Sequence, residues 1–237
     1  MASEPALISF SSRASMARRV ADVIGTQLKL SLAERGSASL AVSGGSTPTD
    51  LYQELSTRSL DWSNVTVVPI DERWVPPGTA GSNETLIRST LIQNRAAGAI
   101  LIGLWTDAAS PVEGLGESER RLDAVHFPLD IVVLGMGVDG HAASWFPKSH
   151  GLDRVLIESG PRLAAITAQP SPVAGDHLNR MTLTLSAVKG AKAIFLIIVG
   201  DEKRAVFERA LNDGSASEMP VRAILAARPD LWTCWAP

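Results

Sequence analysis

The sequence predicts an α/β fold in which a mostly parallel sheet carries helices on both faces. Three observations lead there. Short apolar runs alternate with longer amphipathic segments, the order in which strands and their covering helices follow one another. The run Lys192–Val199 is apolar at successive positions (Ile194, Phe195, Leu196, Ile197, Ile198, Val199), so both of its faces suit burial, as in a central parallel strand. No repeat or low-complexity tract interrupts the series, and 237 residues are enough for one large domain or two small ones.

The first helix, Ala14–Glu34, reads most clearly. Met16, Val20, Val23, Ile24, Leu28 and Leu32 recur at three- and four-residue spacing, with Arg18, Arg19, Asp22 and Lys29 outside that stripe. Strand Ser39–Val42 follows, then helix Thr47–Ser56, entered through Pro48, whose fixed φ suits a first helical turn. Strand Val65–Ile70 leads to helix Glu84–Gln93, which Ser82 and Asn83 can cap. Strand Ile100–Gly103, helix Pro111–Val125, strands Asp130–Leu134 and Leu163–Thr167, the central strand Lys192–Val199 and helix Asp201–Leu211 complete the order. The stretches Pro76–Gly81 and Gln169–Gly175 are too short for linkers and read as surface loops.

Composition removes several function classes. With 22 Lys and Arg against 25 Asp and Glu, the net charge of −3 offers no general field for nucleic acid, although a few fixed donors suffice for a small anion. The one cysteine, Cys234, excludes an internal disulfide framework and a multi-cysteine metal site, and fits a reducing compartment. Met1-Ala2-Ser3-Glu4-Pro5 lacks the basic start of a secretory signal, and the longest apolar stretches fall short of the ~20 residues that span a bilayer. A cytoplasmic protein is expected, with no membrane or nucleic-acid partner.

Ligands of open α/β sheets gather at the carboxyl ends of strands, and three such places carry chemistry. After the first strand comes Ser43-Gly44-Gly45-Ser46-Thr47-Pro48. Its glycines let backbone N–H groups converge, its hydroxyls add donors, and a helix starts there, which together make a seat for an anion such as phosphate. A plain glycine turn with a Ser/Thr cap would satisfy the same residues. After the second strand, Asp71-Glu72-Arg73 precedes Ser82-Asn83. Asp71 and Glu72 point to opposite faces of a continuing strand, so they do not make a dyad; they either act on a ligand or form an ion pair with Arg73. After the strand Asp130–Leu134 comes Gly135-Met136-Gly137-Val138-Asp139-Gly140-His141. Asp139 stands two residues before His141, near enough to fix the tautomer of an imidazole suited to proton transfer. His126, His150 and His177 lie in segments that read as solvated surface. Arg180 and Lys203 are two later cations, the second just past the central strand, where it could meet an anion held at the Ser-Gly-Gly loop.

Read together and in chain order, these pieces resemble the 6-phosphogluconolactonase family, which shares a superfamily with glucosamine-6-phosphate deaminases. Ala143-Ser144, Phe146-Pro147, Arg180-Met181-Thr182-Leu183-Thr184 and Gly200 with Lys203 extend the resemblance over most of the chain. It implies a Rossmann-like three-layer α/β/α fold and hydrolysis of 6-phospho-D-glucono-1,5-lactone, a sugar-phosphate lactone, with no cofactor and no metal. By resemblance, His141 is the general base and Asp139 orients it; Ser43, Gly44, Gly45, Ser46, Thr47, Arg180 and Lys203 hold the 6-phosphate; Arg73 and Asn83 line the lactone pocket, with Asp71 and Gly137 beside them. Since these elements must converge on one site, residues 1–237 read as a single domain, acting as a monomer or weak homo-oligomer.

Two alternatives stand beside it, a deaminase and a non-catalytic sugar-phosphate sensor. The deaminases carry a glutamate soon after Asp-Gly-His, where this chain has Ala142-Ala143-Ser144-Trp145-Phe146-Pro147, and no separate DNA-binding segment supports a regulator. Ala142 and Trp145 depart from the family's usual Thr and Leu, a change expected to reshape the pocket wall.

Overall fold

The computed structural model describes residues 6–237, so the segment Met1–Pro5, on which the absence of a secretory signal was read, lies outside the described residues. The elements run β1 (Leu7–Ser9), α1 (Arg13–Arg35), β2 (Ala38–Val42), α2 (Thr49–Ser56), β3 (Val65–Pro69), β4 (Asp71–Arg73), α3 (Asn83–Thr90), β5 (Ile100–Leu101), α4 (Pro111–Arg121) and β6 (Ile131–Gly135). They continue with α5 (Leu152–Val155), β7 (Leu163–Thr167), β8 (Asn179–Leu183), α6 (Leu185–Val188), β9 (Ala193–Val199), α7 (Asp201–Ala210), α8 (Val221–Ala227) and β10 (Trp232–Ala236). Seven strands form one parallel sheet in the order β1-β10-β9-β6-β2-β3-β5, and a second sheet, β4-β8-β7, is antiparallel.

Strand alternation divides the interior into the two cores of an α/β/α sandwich. Leu40 and Val42, Ile131 and Val133, and Phe195 and Ile197 face the buried stripe of α1 (Met16, Val20, Ile24, Leu28) together with Leu51 and Leu55 of α2 and Ile87 of α3. Ala41, Val132 and Leu134, with Ile194, Leu196 and Ile198, face α7, α8 and the small sheet. The predicted stripe of α1 is therefore scaffold. Ser12 caps that helix, and Gly36, at φ 77°, ends it in the left-handed conformation glycine adopts without strain. Among the described residues no helix is long and apolar enough to cross a membrane.

The structure corrects the sequence reading in three places. Leu163–Thr167 belongs to the antiparallel sheet, paired Leu163 to Leu183 and Thr167 to Asn179, rather than to the parallel one. Its half-open face at Ala165 and exposed Thr167 suit a sheet covered on one side. The strand predicted as Val65–Ile70 ends at Pro69, and the chain then crosses into the small sheet as β4, where Asp71 pairs with Thr182 and Arg73 with Arg180. The edge strand β1 and its neighbour β10 are absent from the order read from sequence; Leu7 pairs with Thr233, more than two hundred residues later.

Candidate active site

From β2 the chain builds outward to β3 and β5, then returns to the other side of β2 to add β6, β9 and β10. This reversal opens a crevice at the carboxyl ends of β2 and β6. A cleft of about 300 Å³ lies there, and all the residues named from sequence line it except Asp139: Ser43, Gly44, Gly45, Ser46, Thr47, Asp71, Arg73, Asn83, Gly137, His141, Arg180 and Lys203. Pro48, Gly135, Met136, Val138, Ala143, Phe146 and Val173 complete the lining.

The Ser43–Thr47 loop leaves β2 with its first peptide pinned. Ser43 N–H donates to Val133 O on β6 at 3.0 Å, and the buried Tyr52 hydroxyl donates to Ser43 O at 2.6 Å. Beyond that point the N–H groups of Gly44, Gly45, Ser46 and Thr47 have no acceptor among the described residues, and Ser43 Oγ is buried without a partner. Glycine is required at 44, because a Cβ there would collide with the Asn83 side-chain amide. Lys203, in the first turn of α7, reaches across the sheet to within 3.4 Å of Thr47 Oγ1 and forms no ion pair among the described residues. Burial draws the Lys203 ammonium below its ordinary pKa.

On the other side of the crevice, the β6 loop folds back so that Gly137 N–H donates to His141 O at 2.9 Å, and Gly137 packs against the imidazole with no space for a Cβ. Asp139 Oδ1 lies 2.6 Å from His141 Nδ1 and accepts the His141 backbone N–H at 3.1 Å. Burial opposes the Asp139 carboxylate, but the hydrogen bonds from the His141 ring and backbone N–H outweigh it and hold its pKa below the usual value. An ionised carboxylate only accepts, so Nδ1 carries the hydrogen and Nε2 of the neutral ring keeps its lone pair. Phe146 stacks on the imidazole with centroids 4.2 Å apart, and the Arg180 guanidinium lies 4.9 Å from the Phe146 ring centre. Asp139 thus acts on the cleft only through His141.

The wall contributed by the small sheet is of a different kind, since most of its polar groups have partners within the protein, Arg73 Nε being the exception. Asp71 accepts from Ser144 Oγ at 2.5 Å and from Asn83 Nδ2 at 3.2 Å, and Asn83 Nδ2 also donates to Asp71 O at 2.8 Å. Arg180 donates to His177 O and Ala174 O, and its Nη1 lies 3.7 Å from Asp71. Arg73 Nη1 donates to Gly81 O at 2.6 Å. The pair expected between Arg73 and an adjacent carboxylate does not form: Asp71 turns to Ser144, Asn83 and Arg180, while fully buried Glu72 accepts the N–H groups of Arg73, Asn83 and Glu84 at 2.7–2.8 Å and caps α3. Burial pushes the Glu72 carboxyl up to about 7, against the amides that favour its charge. Ser82 caps the same helix, donating its Oγ to Glu72 and accepting from Thr85 N–H.

Other expectations divide. His126 and His150 are exposed, but His177 is half-buried, its ring against Gly81. Ala142 and Trp145 are fully buried, and Trp145 donates to Leu183 O, so neither forms the pocket wall; Ala143 and Phe146 do. Sequence reasoning gave Tyr52, Ser144, Phe146 and Val173 no role. Tyr52 had a signal, as the one tyrosine of the chain, placed in the first turns of the helix behind the glycine loop. Val173 had none.

A family described as glucosamine-6-phosphate isomerases/6-phosphogluconolactonase matches residues 11–235. The chain is 40% identical to the 6-phosphogluconolactonase of Rhizobium meliloti over 96% of its own length and 97% of that protein's. It is 42% identical to the 6-phosphogluconolactonase of Pseudomonas aeruginosa, covering 91% and 89% of the two chains. A crystal structure of a 6-phosphogluconolactonase from Shewanella baltica superposes with a TM-score of 0.94 over all of both chains, at 38% identity.

Proposed function

The chain belongs to the glucosamine-6-phosphate isomerase/6-phosphogluconolactonase family, and from that premise we propose how its cleft carries out the reaction of the lactonase members. The activity is hydrolysis of 6-phospho-D-glucono-1,5-lactone to 6-phospho-D-gluconate, a step of the oxidative pentose phosphate pathway. One observation carries the mechanism: Asp139 holds Nδ1 of His141, which leaves the Nε2 lone pair for a water in the cleft.

Water attacks the lactone carbonyl while Nε2 takes its proton, and negative charge develops on the carbonyl oxygen. Arg73 and the Val138 N–H, unpartnered among the described residues, line the cleft as donors for that oxyanion. When the intermediate collapses, the bond from the carbonyl carbon to the ring oxygen breaks and the imidazolium returns its proton to that oxygen. The product is an open-chain hydroxy acid, whose carboxyl then ionises. Asp139 stabilises the imidazolium formed in between and stays ionised itself.

The phosphate is the handle. Loop amides from Gly44 to Thr47, the hydroxyls of Ser43, Ser46 and Thr47, and the Lys203 ammonium are the free donors at one end of the cleft. They bind a group remote from the reacting carbonyl, so their binding energy can position it for attack. Arg180 and Asn83 shape the same cleft with side chains that are largely held by the protein. The chain acts as a single domain, its first and last strands being adjacent in the sheet. It works in the cytoplasm as a monomer or weak homo-oligomer.

The test is hydrolysis of freshly generated 6-phosphogluconolactone above its spontaneous background. The His141→Ala variant is expected to lose about 10²–10⁴-fold in kcat, with KM close to that of the wild type. An equally active variant would remove His141 as the base, and an inactive wild type that releases ammonia from glucosamine 6-phosphate would move the chain to the other branch of its family.

A further inference from the structure

We propose that Tyr52 is a positioning residue for the sugar-phosphate substrate: its hydroxyl turns the Ser43 carbonyl into the protein and so aims the Gly44 N–H at the phosphate. The inference rests on the reading that the Ser43–Thr47 loop seats the 6-phosphate.

Tyr52 is fully buried on α2, among the apolar residues that pack against β2. A phenylalanine would fill that space equally well, so core packing does not account for the hydroxyl. A buried hydroxyl is costly unless it is bonded, and the Tyr52 group has one partner among the described residues, Ser43 O at 2.6 Å. Burial raises the phenol pKa, which keeps it a donor.

The consequence lies in the next peptide group. In a trans peptide the carbonyl and the following N–H point in opposite directions. A Ser43 carbonyl drawn toward Tyr52 therefore sends the Gly44 N–H away from the core, and Gly44 lines the cleft with that N–H unpartnered among the described residues. The other side of residue 43 is fixed as well, by Ser43 N–H on Val133 O at 3.0 Å, and Asn83 blocks Gly44 from behind. Without the phenol the Ser43 carbonyl loses its buried donor. It can then rotate toward the crevice and present a partial negative charge to an anionic substrate, in place of an N–H.

The experiment compares two substrates of the whole enzyme, 6-phosphogluconolactone and unphosphorylated glucono-1,5-lactone, and adds inorganic phosphate as a competitor. For Tyr52→Phe, kcat/KM on the phospholactone is expected to fall about tenfold, mainly through KM, the size set by one lost hydrogen bond. The inhibition constant for phosphate should rise by a similar factor, while the unphosphorylated lactone changes by less than about twofold. Placing 4-aminophenylalanine at position 52 returns an N–H donor and is expected to recover most of the loss. An equal fall on both substrates assigns the hydroxyl to general packing and overturns the proposal, as does a variant with unchanged kinetics.

Should Tyr52→Phe prove too unstable to assay, the wild type itself decides the matter. The Gly44 amide resonance must shift in a ¹⁵N-resolved titration with inorganic phosphate, and a stationary resonance overturns the inference. The two readings separate cleanly. A wild type that shows no preference for the phospholactone and no competition by phosphate loses the phosphate seat altogether, whereas a preference kept intact in Tyr52→Phe removes only the role of Tyr52.

Discussion

Strands β2 and β6 lie side by side and parallel, and their two ends have opposite characters. At the amino end Asp130, 1% exposed, accepts from Ser31 Oγ of α1 at 2.7 Å, from Ser39 N–H of β2 at 2.8 Å and from Arg35 Nη2 at 2.6 Å, with Lys192 Nζ at 3.3 Å. Ser39 Oγ in turn accepts the Asp130 N–H at 3.0 Å. The carboxylate is surrounded by donors from helix and strand and ties one to the other. At the carboxyl end, ten to fifteen ångströms along at ~3.3 Å per residue, the same strands release the Ser43–Thr47 and Gly135–His141 loops, where the amides of Gly44–Thr47 and Val138, with Ser43 Oγ and His141 Nε2, keep hydrogen-bonding capacity in reserve among the described residues. Both ends carry buried polar groups. Their difference is one of satisfaction: a closed set of partners holds the fold, and an open set leaves donors and acceptors to spare for the proposed ligand.

That contrast can be broken by experiment, beginning with the largest effect. Asp130→Ala removes a buried acceptor shared by two cations, two hydroxyls and a backbone amide, and should cost about 3 kcal/mol, near the low end for a broken buried pair because Arg35 and Lys192 reach solvent. The thermal midpoint should then drop by about 6–12 °C while kcat/KM of the folded enzyme stays near the wild-type value. A comparable loss of activity would mean that the two ends are not separable. Lys203→Met should do the reverse. It takes one charge-assisted donor from the proposed phosphate seat and is expected to raise KM about 10–100-fold, with the thermal midpoint moving by no more than about 2 °C. A normal KM would take Lys203 out of the seat.

The smallest effect is electrostatic and belongs to the closed end. Burial works against the Asp130 carboxylate, but Ser31, the Ser39 amide and Arg35 outweigh it and hold its pKa below the ordinary 3.8. On acidification the unfolded chain takes up this proton before the folded one does. The stabilisation is therefore complete above pH ~5, starts to fade near pH 4, and is gone once the pH has fallen through the folded pKa. Urea unfolding at pH 7, 5, 4 and 3.5 should show a shallower acid loss in Asp130→Asn than in the wild type; parallel curves would show that Asp130 carries no such linkage.

The site was legible where its chemistry is local. Asp139 and His141 are two residues apart, so their contact follows from chain geometry, and Gly44 and Gly137 mark turns that a side chain would obstruct. The Asp71-Glu72-Arg73 triplet was not legible in the same way. Its three side chains are adjacent, yet they go to Ser144 and Asn83, to the start of α3, and to Gly81, because β4 leaves the large sheet and pairs with a strand more than a hundred residues later. The departures at Ala142 and Trp145 misled for the same reason: neighbours in sequence of the cleft residue Ala143, they face the core.

Hydrophobic period, glycine placement and the short Asp-Gly-His spacing depend on a few consecutive residues, and by themselves they determined the alternating elements, the parallel character of the main sheet and the order of the motifs along the chain. Tertiary structure alone decided that Leu7–Ser9 and Trp232–Ala236 lie side by side, that Leu163–Thr167 joins an antiparallel side sheet, and that Lys203 meets Thr47. The reason is that strand partners and hydrogen-bond acceptors are chosen across the whole chain. Whether a donor is free for a substrate can be read only after every residue that could have taken it has been put in place.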